Sequence, residues 1–336
     1  MVNMTKKYNK IEQEWERKTE MNTTRIIIDC DTGIDDALAI LYALKAPNVV
    51  VEGITTVFGN IDVQQASENT LRLLALANPG YEIPVAVGAS KALARETLGF
   101  SAHVHGENGI GGVELPPTSQ LPLEETAADF IVRMADENPG EIVLVTLGRL
   151  TNLSLALDAD PGLKNKLKKV VVMGGTIFKP GNVTPVAEAN LWGDPEAADR
   201  VFTSGLPVQM IGLDVTLQTR ITAEHLELLK KFGKEENKAV IDFMDQSLQF
   251  YFRFYREANY YINGAPLHDP LALMAALQPD LLNYRHMKVR VEHQGEFTSG
   301  MVVADLRAQP KAGEFIEVAV DVEAERAVGV FLSAFM

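Results

Sequence analysis

Cysteine is almost absent from this sequence. The single thiol, Cys30, has no second cysteine with which to form an intrachain disulfide, which fits a reducing compartment. The chain also lacks an apolar run long enough to span a membrane. Its first twenty residues are polar and charged, without the hydrophobic segment that a secretory signal requires. These absences predict a cytoplasmic protein with no membrane partner.

The chain also has fewer basic than acidic residues. The chain carries 31 lysine and arginine residues against 45 aspartate and glutamate residues, a formal net charge of -14. It has no basic stripe with interleaved aromatic residues, so a nucleic-acid partner is not expected. The excess of acidic residues argues equally against an anionic membrane surface.

The rest of the composition is that of an ordinary globular protein. Hydrophobic residues make up 46% of the chain and charged residues 23%. A length of 336 residues suits one large α/β domain or two smaller ones. Because no linker, repeat or change of composition divides the chain, we expect one domain over residues 25–336. A helical or disordered extension over residues 1–24 would precede it.

Apolar strands alternate with helices along most of the chain. The predicted strands are 26–28, 49–57, 84–87, 142–146, 169–173 and 207–211, and helices are predicted at 61–77, 126–138, 151–157, 195–202, 223–232, 236–257 and 269–277. This order predicts an α/β fold with an open, largely parallel sheet flanked by helices, Rossmann-like in type. Near the C-terminus, residues 287–292, 301–305 and 315–321 alternate like antiparallel strands, and a last helix follows. Two long segments, 92–118 and 176–190, are predicted to be irregular.

The most informative stretch is R-I-I-I-D-C-D-T-G-I-D-D-A, at positions 25–37. Its three consecutive isoleucines are typical of a buried strand that is covered on both faces. Asp29 and Asp31 follow, and because alternate residues of a strand share a face, we expect both side chains to point the same way. After a turn, Asp35 and Asp36 fall in the first turn of a helix. Cys30 points away from the aspartates, and we interpret it as a small core residue.

Four carboxylates within eight positions therefore converge at the carboxyl end of the first strand, where open α/β sheets bind their ligands. Like charges this close stay ionised in a pocket only if a positive group joins them. A hard cation, Ca²⁺ or Mg²⁺ before zinc, suits the cluster because no group of thiolates or imidazoles accompanies it. Asp35 or Asp36 alone could simply cap the helix. The number of carboxylates favours a site.

Three further places bring polar groups to the same edge of the sheet. Leu147 follows the fourth strand, where its backbone carbonyl could join a cation. His268 and Asp269 begin a helix, and they would supply a titratable proton carrier and another carboxylate. Taken alone, Asp269 could be a helix cap and His268 an ordinary half-buried histidine. The side chains suited to a polyol such as a sugar are those of Asn60, Asn182, Glu188 and Asn190, although each could equally satisfy loop backbone.

With these residues in place, the chain resembles the inosine–uridine preferring nucleoside hydrolase family from about Arg25 to the C-terminus. The motifs that carry the resemblance are D-C-D-T-G-I-D-D-A at 29–37, T-T-V-F-G-N ending at Asn60, H-V-H-G at 103–106, L-G-R-L-T-N at 147–152, V-M-G-G at 172–175, G-N-V-T-P-V-A-E-A-N at 181–190, D-P-E-A-A at 194–198 and H-D-P at 268–270. Two features depart from the family pattern. Thr32 stands where family members often have proline, which still permits the turn, and the N-terminal extension has no counterpart.

The resemblance implies Ca²⁺-dependent hydrolysis of the N-glycosidic bond of ribonucleosides, for nucleoside salvage, with residues 25–336 as the catalytic domain. The implied ligands of Ca²⁺ are Asp31, Asp36, Asp269 and the backbone carbonyl of Leu147. Asp31 would also be the general base, and His268 would protonate the leaving base. The residues implied to bind the ribose hydroxyls are Asp35, Asp36, Asn60, Asn190 and Asp269, and those implied at the 5′ end are Asn182, Glu188 and Met173. A homodimer or homotetramer is also implied.

Two other functions are weaker alternatives. Haloacid dehalogenase-type phosphatases begin with D-x-D-x-[TV], but Gly33 breaks that pattern after Thr32. A nucleoside-binding or sensing protein without turnover would be expected to have lost Asp31 or His268, and both are present. Tyr255, Tyr260 and the loop at 103–112 are candidates to surround the leaving base. From its length and glycines, we expect that loop to close over the site.

Overall fold

A computed structural model of the protein describes residues 23–97, 99–258 and 264–336. Tyr260 and the predicted extension up to residue 22 lie outside these residues. Thr24 is already part of the first strand, one residue before the predicted start of the domain.

Eleven strands are present in this part of the chain. They are β1 (Thr24–Cys30), β2 (Val49–Thr56), β3 (Val85–Val87), β4 (Ile142–Thr146), β5 (Lys169–Met173), β6 (Val208–Ile211), β7 (Arg220–Ile221), β8 (Ala265–Pro266), β9 (Leu282–Val291), β10 (Val302–Ala304) and β11 (Glu314–Val322). Nine of these form one sheet in the order β10-β9-β11-β6-β5-β4-β1-β2-β3. Strands β1 to β6 and β11 run parallel, and β9 is antiparallel to both of its neighbours. The predicted, largely parallel α/β sheet with antiparallel strands near the C-terminus is confirmed.

Helices cover the sheet. They are α1 (Ile34–Lys45), α2 (Val63–Ala77), α3 (Ala102–His105), α4 (Ala127–Glu137), α5 (Thr151–Ala159), α6 (Ala189–Gly193), α7 (Pro195–Phe202), α8 (Leu213–Thr216), α9 (Ala223–Phe232), α10 (Lys238–Glu257), α11 (His268–Leu277) and α12 (Ala324–Ser333). None of the described helices is both long and apolar enough to cross a membrane.

The isoleucine run explains why β1 lies inside the sheet. Ile26 and Ile28 pack into the core on one face, and Ile27 packs into the core on the other face. All three are fully buried, because a parallel sheet with helices on both sides leaves no face open to water. Cys30 is also buried in the core, as predicted. β1 therefore has parallel neighbours on both sides, β2 and β4.

The C-terminal strands differ in detail from the prediction. β9 begins at Leu282, five residues before the predicted start. The prediction began too late because the alternation of buried and exposed residues is interrupted in the first half of the strand. β11 pairs antiparallel with β9 but parallel with β6, so it joins the C-terminal hairpins to the parallel sheet. The segments predicted to be irregular contain α3 and the start of α6.

Candidate active site

A cavity of about 620 Å³ opens at the carboxyl edge of the parallel strands. The predicted site residues that line it are Asp35, Asn60, Leu147, Met173, Asn182, Glu188, Asn190, His268 and Asp269. Tyr255 and His103, predicted to surround a leaving base, line it as well. The structure therefore brings together side chains that follow β1, β2, β4 and β5 with the first residues of α11.

Asp36 is held by the backbone that precedes its own helix. Its Oδ1 accepts the N–H of Asp31 at 3.1 Å and its Oδ2 accepts the N–H of Gly33 at 2.9 Å. These amides precede α1, so Asp36 caps the helix as well as belonging to the acidic cluster. Asp35 turns the other way, where its Oδ2 accepts the hydroxyl of Tyr251 at 3.4 Å.

Three carboxyl groups, those of Asp35, Asp36 and Asp269, lie close enough together to share a metal ion. One oxygen from each lies within 4.8 Å of the others, and all three residues are buried. Asp31 adjoins this group, because its carboxyl group is in hydrogen-bond contact with that of Asp36. It is linked to Asp36 through Asn60, whose Nδ2 donates to Asp31 Oδ1 at 3.3 Å and to Asp36 Oδ2 at 3.1 Å.

Burial raises the pKa of every carboxyl group in this cluster, and hydrogen bonds from neighbouring groups partly offset the rise for Asp36. Burial is the largest cause for Asp31 and Asp269, whose pKa values lie well above the ordinary range, and neighbouring carboxylates add to it. The pKa of Asp35 rises for the same two reasons, and its Oδ1 is buried without a hydrogen-bond partner in the described chain. Such a group must take up protons or a cation. The donors are all hard oxygens, so they fit Ca²⁺ or Mg²⁺.

Asp29 is not part of the cluster, contrary to the prediction that four carboxylates converge there. Its Oδ1 accepts Thr55 Oγ1 at 2.6 Å and Asn152 Nδ2 at 2.7 Å. It therefore ties β1 to β2 and to α5. The inference failed because β1 ends at Cys30, so the alternation of strand side chains does not extend to Asp31.

His268 is the first residue of α11 and lies in a chain of hydroxyl groups. Its Nδ1 is 2.8 Å from Thr216 Oγ1, and its Nε2 is 3.1 Å from the hydroxyl of Tyr255. That hydroxyl is 3.4 Å from the hydroxyl of Tyr251, which donates to Asp35. Burial lowers the pKa of His268 to about 4, so the imidazole is neutral near pH 7. A chain of hydrogen bonds thus connects this histidine to the acidic cluster.

The polar residues of the segment 176–190 are largely engaged by backbone. Glu188 accepts the N–H groups of Gly175, Asn190 and Leu191 and caps α6. Asn182 Oδ1 accepts the N–H of Ala189 at 3.1 Å. These contacts agree with the alternative that such residues satisfy the backbone of the loop. Asn182, Glu188 and Asn190 also line the cavity.

Asn190 links the ends of two neighbouring strands. Its Nδ2 donates to the carbonyl oxygen of Leu147 at 2.6 Å and to that of Met173 at 3.2 Å. The carbonyl proposed as a metal ligand is therefore fixed in direction, and a carbonyl oxygen keeps a second lone pair.

Two residues at the site were not singled out from the sequence. His105 Nδ1 accepts the N–H of Ile34 at 3.0 Å and lies 3.9 Å from Asp35 Oδ1. Arg149 is buried with Nη1 3.1 Å from Asp31 Oδ2. Both residues stand inside motifs that were recognised, H-V-H-G and L-G-R-L-T-N. For Arg149, the sequence signal was a basic side chain among apolar and small residues just after β4.

The fold and the site place the protein among the hydrolases that act on N-glycosyl bonds of nucleosides. The family model for the inosine-uridine preferring nucleoside hydrolases matches residues 26–329, and the chain belongs to this family. The resemblance inferred from the motifs is thereby confirmed.

Three similar proteins illustrate the range of the family. Uridine nucleosidase 1 of Arabidopsis thaliana is 42% identical over 275 residues, which cover 81% of this chain and 79% of the relative. The pyrimidine-specific ribonucleoside hydrolase RihA of Salmonella paratyphi B is 40% identical over 280 residues, covering 83% and 88%. The solved structure of a purine-preferring ribonucleoside hydrolase from Gardnerella vaginalis is 35% identical with a TM-score of 0.86, covering 93% of this chain and 98% of that one.

Proposed function

We propose that this enzyme hydrolyses ribonucleosides to free base and ribose with the help of Ca²⁺, and that uridine is among its substrates. The observation that carries the proposal is the buried group of Asp35, Asp36 and Asp269, of which Asp35 and Asp269 line the same cavity as His268 and Asp36 lies behind them. N-glycoside cleavage passes through a ribosyl cation, as O-glycoside hydrolysis does, and it needs negative charge, a positioned water and help for the leaving group. The cavity offers residues suited to each requirement.

The proposed Ca²⁺ ligands are Asp31, Asp36, Asp269 and the carbonyl of Leu147, and the position of Asp35 makes its carboxylate a further candidate. A bound Ca²⁺ would orient a water molecule and the ribose hydroxyls and make that water easier to deprotonate. Asp31 is proposed as the general base. Its Oδ2 accepts two donors, the N–H of Asn60 at 2.6 Å and Arg149 Nη1 at 3.1 Å, whereas its Oδ1 accepts the longer bond from Asn60 Nδ2 at 3.3 Å. Oδ1 is therefore the oxygen with capacity for a proton.

The ribose is proposed to lie over the acidic cluster. Its hydroxyls would be bound by Asp35, Asp36, Asn60, Asn190 and Asp269, and its 5′ end by Asn182, Glu188 and Met173. Asn60 and Asn190 are themselves fixed by hydrogen bonds, so they would hold the sugar in one orientation. Tight positioning of this kind lowers the barrier without further chemical groups.

The departing base is proposed to receive its proton from the chain that contains His268. Because the imidazole is neutral near pH 7, it would act as a relay: one ring nitrogen would take up a proton that comes from solvent while the other passes its N–H proton towards the base. The hydroxyl of Tyr255 lies next to Nε2 and could carry that proton towards the base. A positioned acid of this kind typically contributes roughly 10²–10⁴-fold.

The relatives support uridine as the first substrate to test, since two are named for uridine or pyrimidine ribonucleosides. The purine-preferring enzyme has the same fold, so inosine must be compared in the same assay. We further propose a homodimer or homotetramer and a cytoplasmic location, the latter because the one cysteine is a buried free thiol.

Ribose release from uridine and inosine, with and without a calcium chelator, tests the proposal. We expect ribose to be released without added phosphate. Chelation of Ca²⁺ should abolish this activity, and addition of Ca²⁺, but not of buffer alone, should restore it. The Asp31→Ala variant should be inactive, and the surface variant Asp158→Asn should match the parent. Release that survives complete removal of metal would contradict the cation's role. No release from any ribonucleoside by folded, Ca²⁺-loaded protein would favour a nucleoside-binding protein instead.

A further inference from the structure

Arg149 occupies an unusual place in the molecule. It is 7% exposed and is the only lysine or arginine among the buried side chains of residues 23–97, 99–258 and 264–336. Its Nη1 lies 3.1 Å from Asp31 Oδ2 and 3.4 Å from the carbonyl oxygen of Phe58, and its guanidinium carbon is 5.0 Å from the Phe58 ring centroid. Burying a guanidinium costs free energy unless an opposite charge is paired with it, and Asp31 supplies that charge.

Two glycines make room for the guanidinium. A Cβ at Gly193 would collide with Arg149 Nε, and its other near neighbours are atoms of the same side chain. A Cβ at Gly59 would collide with both Arg149 Nη1 and Asp31 Oδ2. Neither glycine has a positive φ, so backbone conformation does not require glycine at either position. The space around Arg149 is therefore built from two separate segments of the chain.

Because of the contact with Arg149, the two carboxylate oxygens of Asp31 have different hydrogen-bond partners. Oδ2 is occupied by Arg149 and by the N–H of Asn60 at 2.6 Å. Oδ1 accepts Asn60 Nδ2 at 3.3 Å, and that amide also donates to Asp36, so Oδ1 faces the acidic cluster. Rotation of the carboxylate, which would exchange its two oxygens, would break both of the hydrogen bonds that Oδ2 accepts.

We infer that Arg149 is a positioning residue that fixes Asp31 so that Oδ1 alone meets the attacking water, an inference that rests on the proposed role of Asp31 as general base. Arg149 also lines the cavity, but its guanidinium donates its hydrogen bonds to Asp31 and to the carbonyl oxygen of Phe58. It acts by locking the orientation of the Asp31 carboxylate. Supporting partners of this kind typically change activity by roughly 10–100-fold when they are removed.

The test uses four variants and steady-state kinetics on whichever of uridine and inosine the parent hydrolyses. Arg149→Met should lower kcat by roughly 10–100-fold with little change in KM. Arg149→Lys keeps the charge but not the fork of donors, so it should recover part of that loss. Gly193→Ala should also lower kcat, because its methyl group displaces the guanidinium. The control is Arg200→Met, which removes an exposed arginine of α7 paired with Asp158 and should match the parent.

The double variant Arg149→Met/Gly193→Ala separates a positioning role from a general loss of packing. If Gly193→Ala acts only through the guanidinium, the double variant should be no slower than Arg149→Met alone. Calorimetric titration with Ca²⁺ gives a second readout. Removing a positive charge beside the carboxylates should leave Ca²⁺ affinity unchanged or tighter, whereas collapse of the site would weaken it.

Clear outcomes would overturn the inference. One is a kcat of Arg149→Met within threefold of the parent, and another is an Arg149→Lys variant that is no faster than Arg149→Met. A third is additive losses in the double variant, or a loss of Ca²⁺ affinity that parallels the loss of kcat. If Arg149→Met does not fold, Arg149→Lys and Gly193→Ala decide the question through kcat and KM. A parent enzyme that releases no ribose would instead refute the proposed function and not this contact.

Discussion

At the scale of single residues, burial determines the chemistry of the cavity. The imidazole of His268 is surrounded by hydroxyl groups rather than by carboxylates, so nothing compensates the cost of charging it and its pKa falls to about 4. A histidine of this kind transfers a proton only as part of a hydrogen-bonded chain. The hydroxyl of Tyr255, 3.1 Å from Nε2, is the next member of that chain.

This arrangement predicts a selective effect of two substitutions. His268→Ala should slow inosine hydrolysis by roughly 10²–10⁴-fold, and Tyr255→Phe should slow it in the same direction by a smaller factor. Hydrolysis of 4-nitrophenyl riboside should fall much less in both variants, because nitrophenolate departs without needing a proton. The measurement is kcat/KM for the two substrates in parent and variants. Tyr81→Phe, at an exposed position remote from the cavity lining, is the control. Equal losses on both substrates would show that His268 does not serve the leaving group.

At the scale of elements, the sequence predicted long segments well and short ones poorly. The isoleucine run identified β1 because strand burial on both faces leaves a continuous apolar pattern. α3, α6 and α8 were not predicted, since helices of four or five residues are too short to show helical periodicity. Their positions depend on distant contacts, such as the hydrogen bond that Asn190 of α6 donates to the carbonyl oxygen of Leu147. The same limit explains Arg149, whose importance comes from Asp31, 118 residues away.

His105 shows how one short element is attached to the site. It ends α3, and its Nδ1 accepts the N–H of Ile34, the first residue of α1. This amide has no partner within its own helix, so the ring satisfies it and joins the loop to the helix that carries Asp35 and Asp36. Burial lowers the pKa of His105 to about 3, which keeps Nδ1 available as an acceptor.

Removing that ring should loosen the segment 101–112. His105→Ala leaves a buried N–H without its acceptor, at a cost of about 1–3 kcal/mol. We expect faster amide hydrogen exchange across 101–112 and at the start of α1, together with a higher KM. His103→Ala, which removes an exposed ring of the same helix, should leave that exchange unchanged. Unchanged exchange in His105→Ala would mean that another contact, such as Asn69 with the carbonyl of Asn108, holds the loop.

At the scale of the whole molecule, the acidic cluster couples folding to pH. Burial raises the pKa of Asp29 to about 7 and raises those of Asp31, Asp35, Asp36 and Asp269. A carboxyl group with a raised pKa binds more protons in the folded state than in the unfolded state, so stability falls as pH rises through the raised pKa. The pKa values of the buried His105 and His268 are lowered, so these two residues make stability rise with pH, but only below roughly pH 6.5.

Between roughly pH 6.5 and 8 the carboxyl groups therefore decide the slope. We expect the melting temperature of metal-free protein to fall over this interval, measured by differential scanning calorimetry. Ca²⁺ competes with protons for the same oxygens, so it should raise the melting temperature more at pH 8 than at pH 6.5. At a free concentration of 100 times its Kd, a ligand stabilises the folded state by about 2.7 kcal/mol. Asp269→Asn removes one of the three carboxylates that lie within 4.8 Å of one another and should reduce both the slope and the Ca²⁺ response. A Ca²⁺ response that is the same at both pH values would mean that the ion binds away from these carboxyl groups.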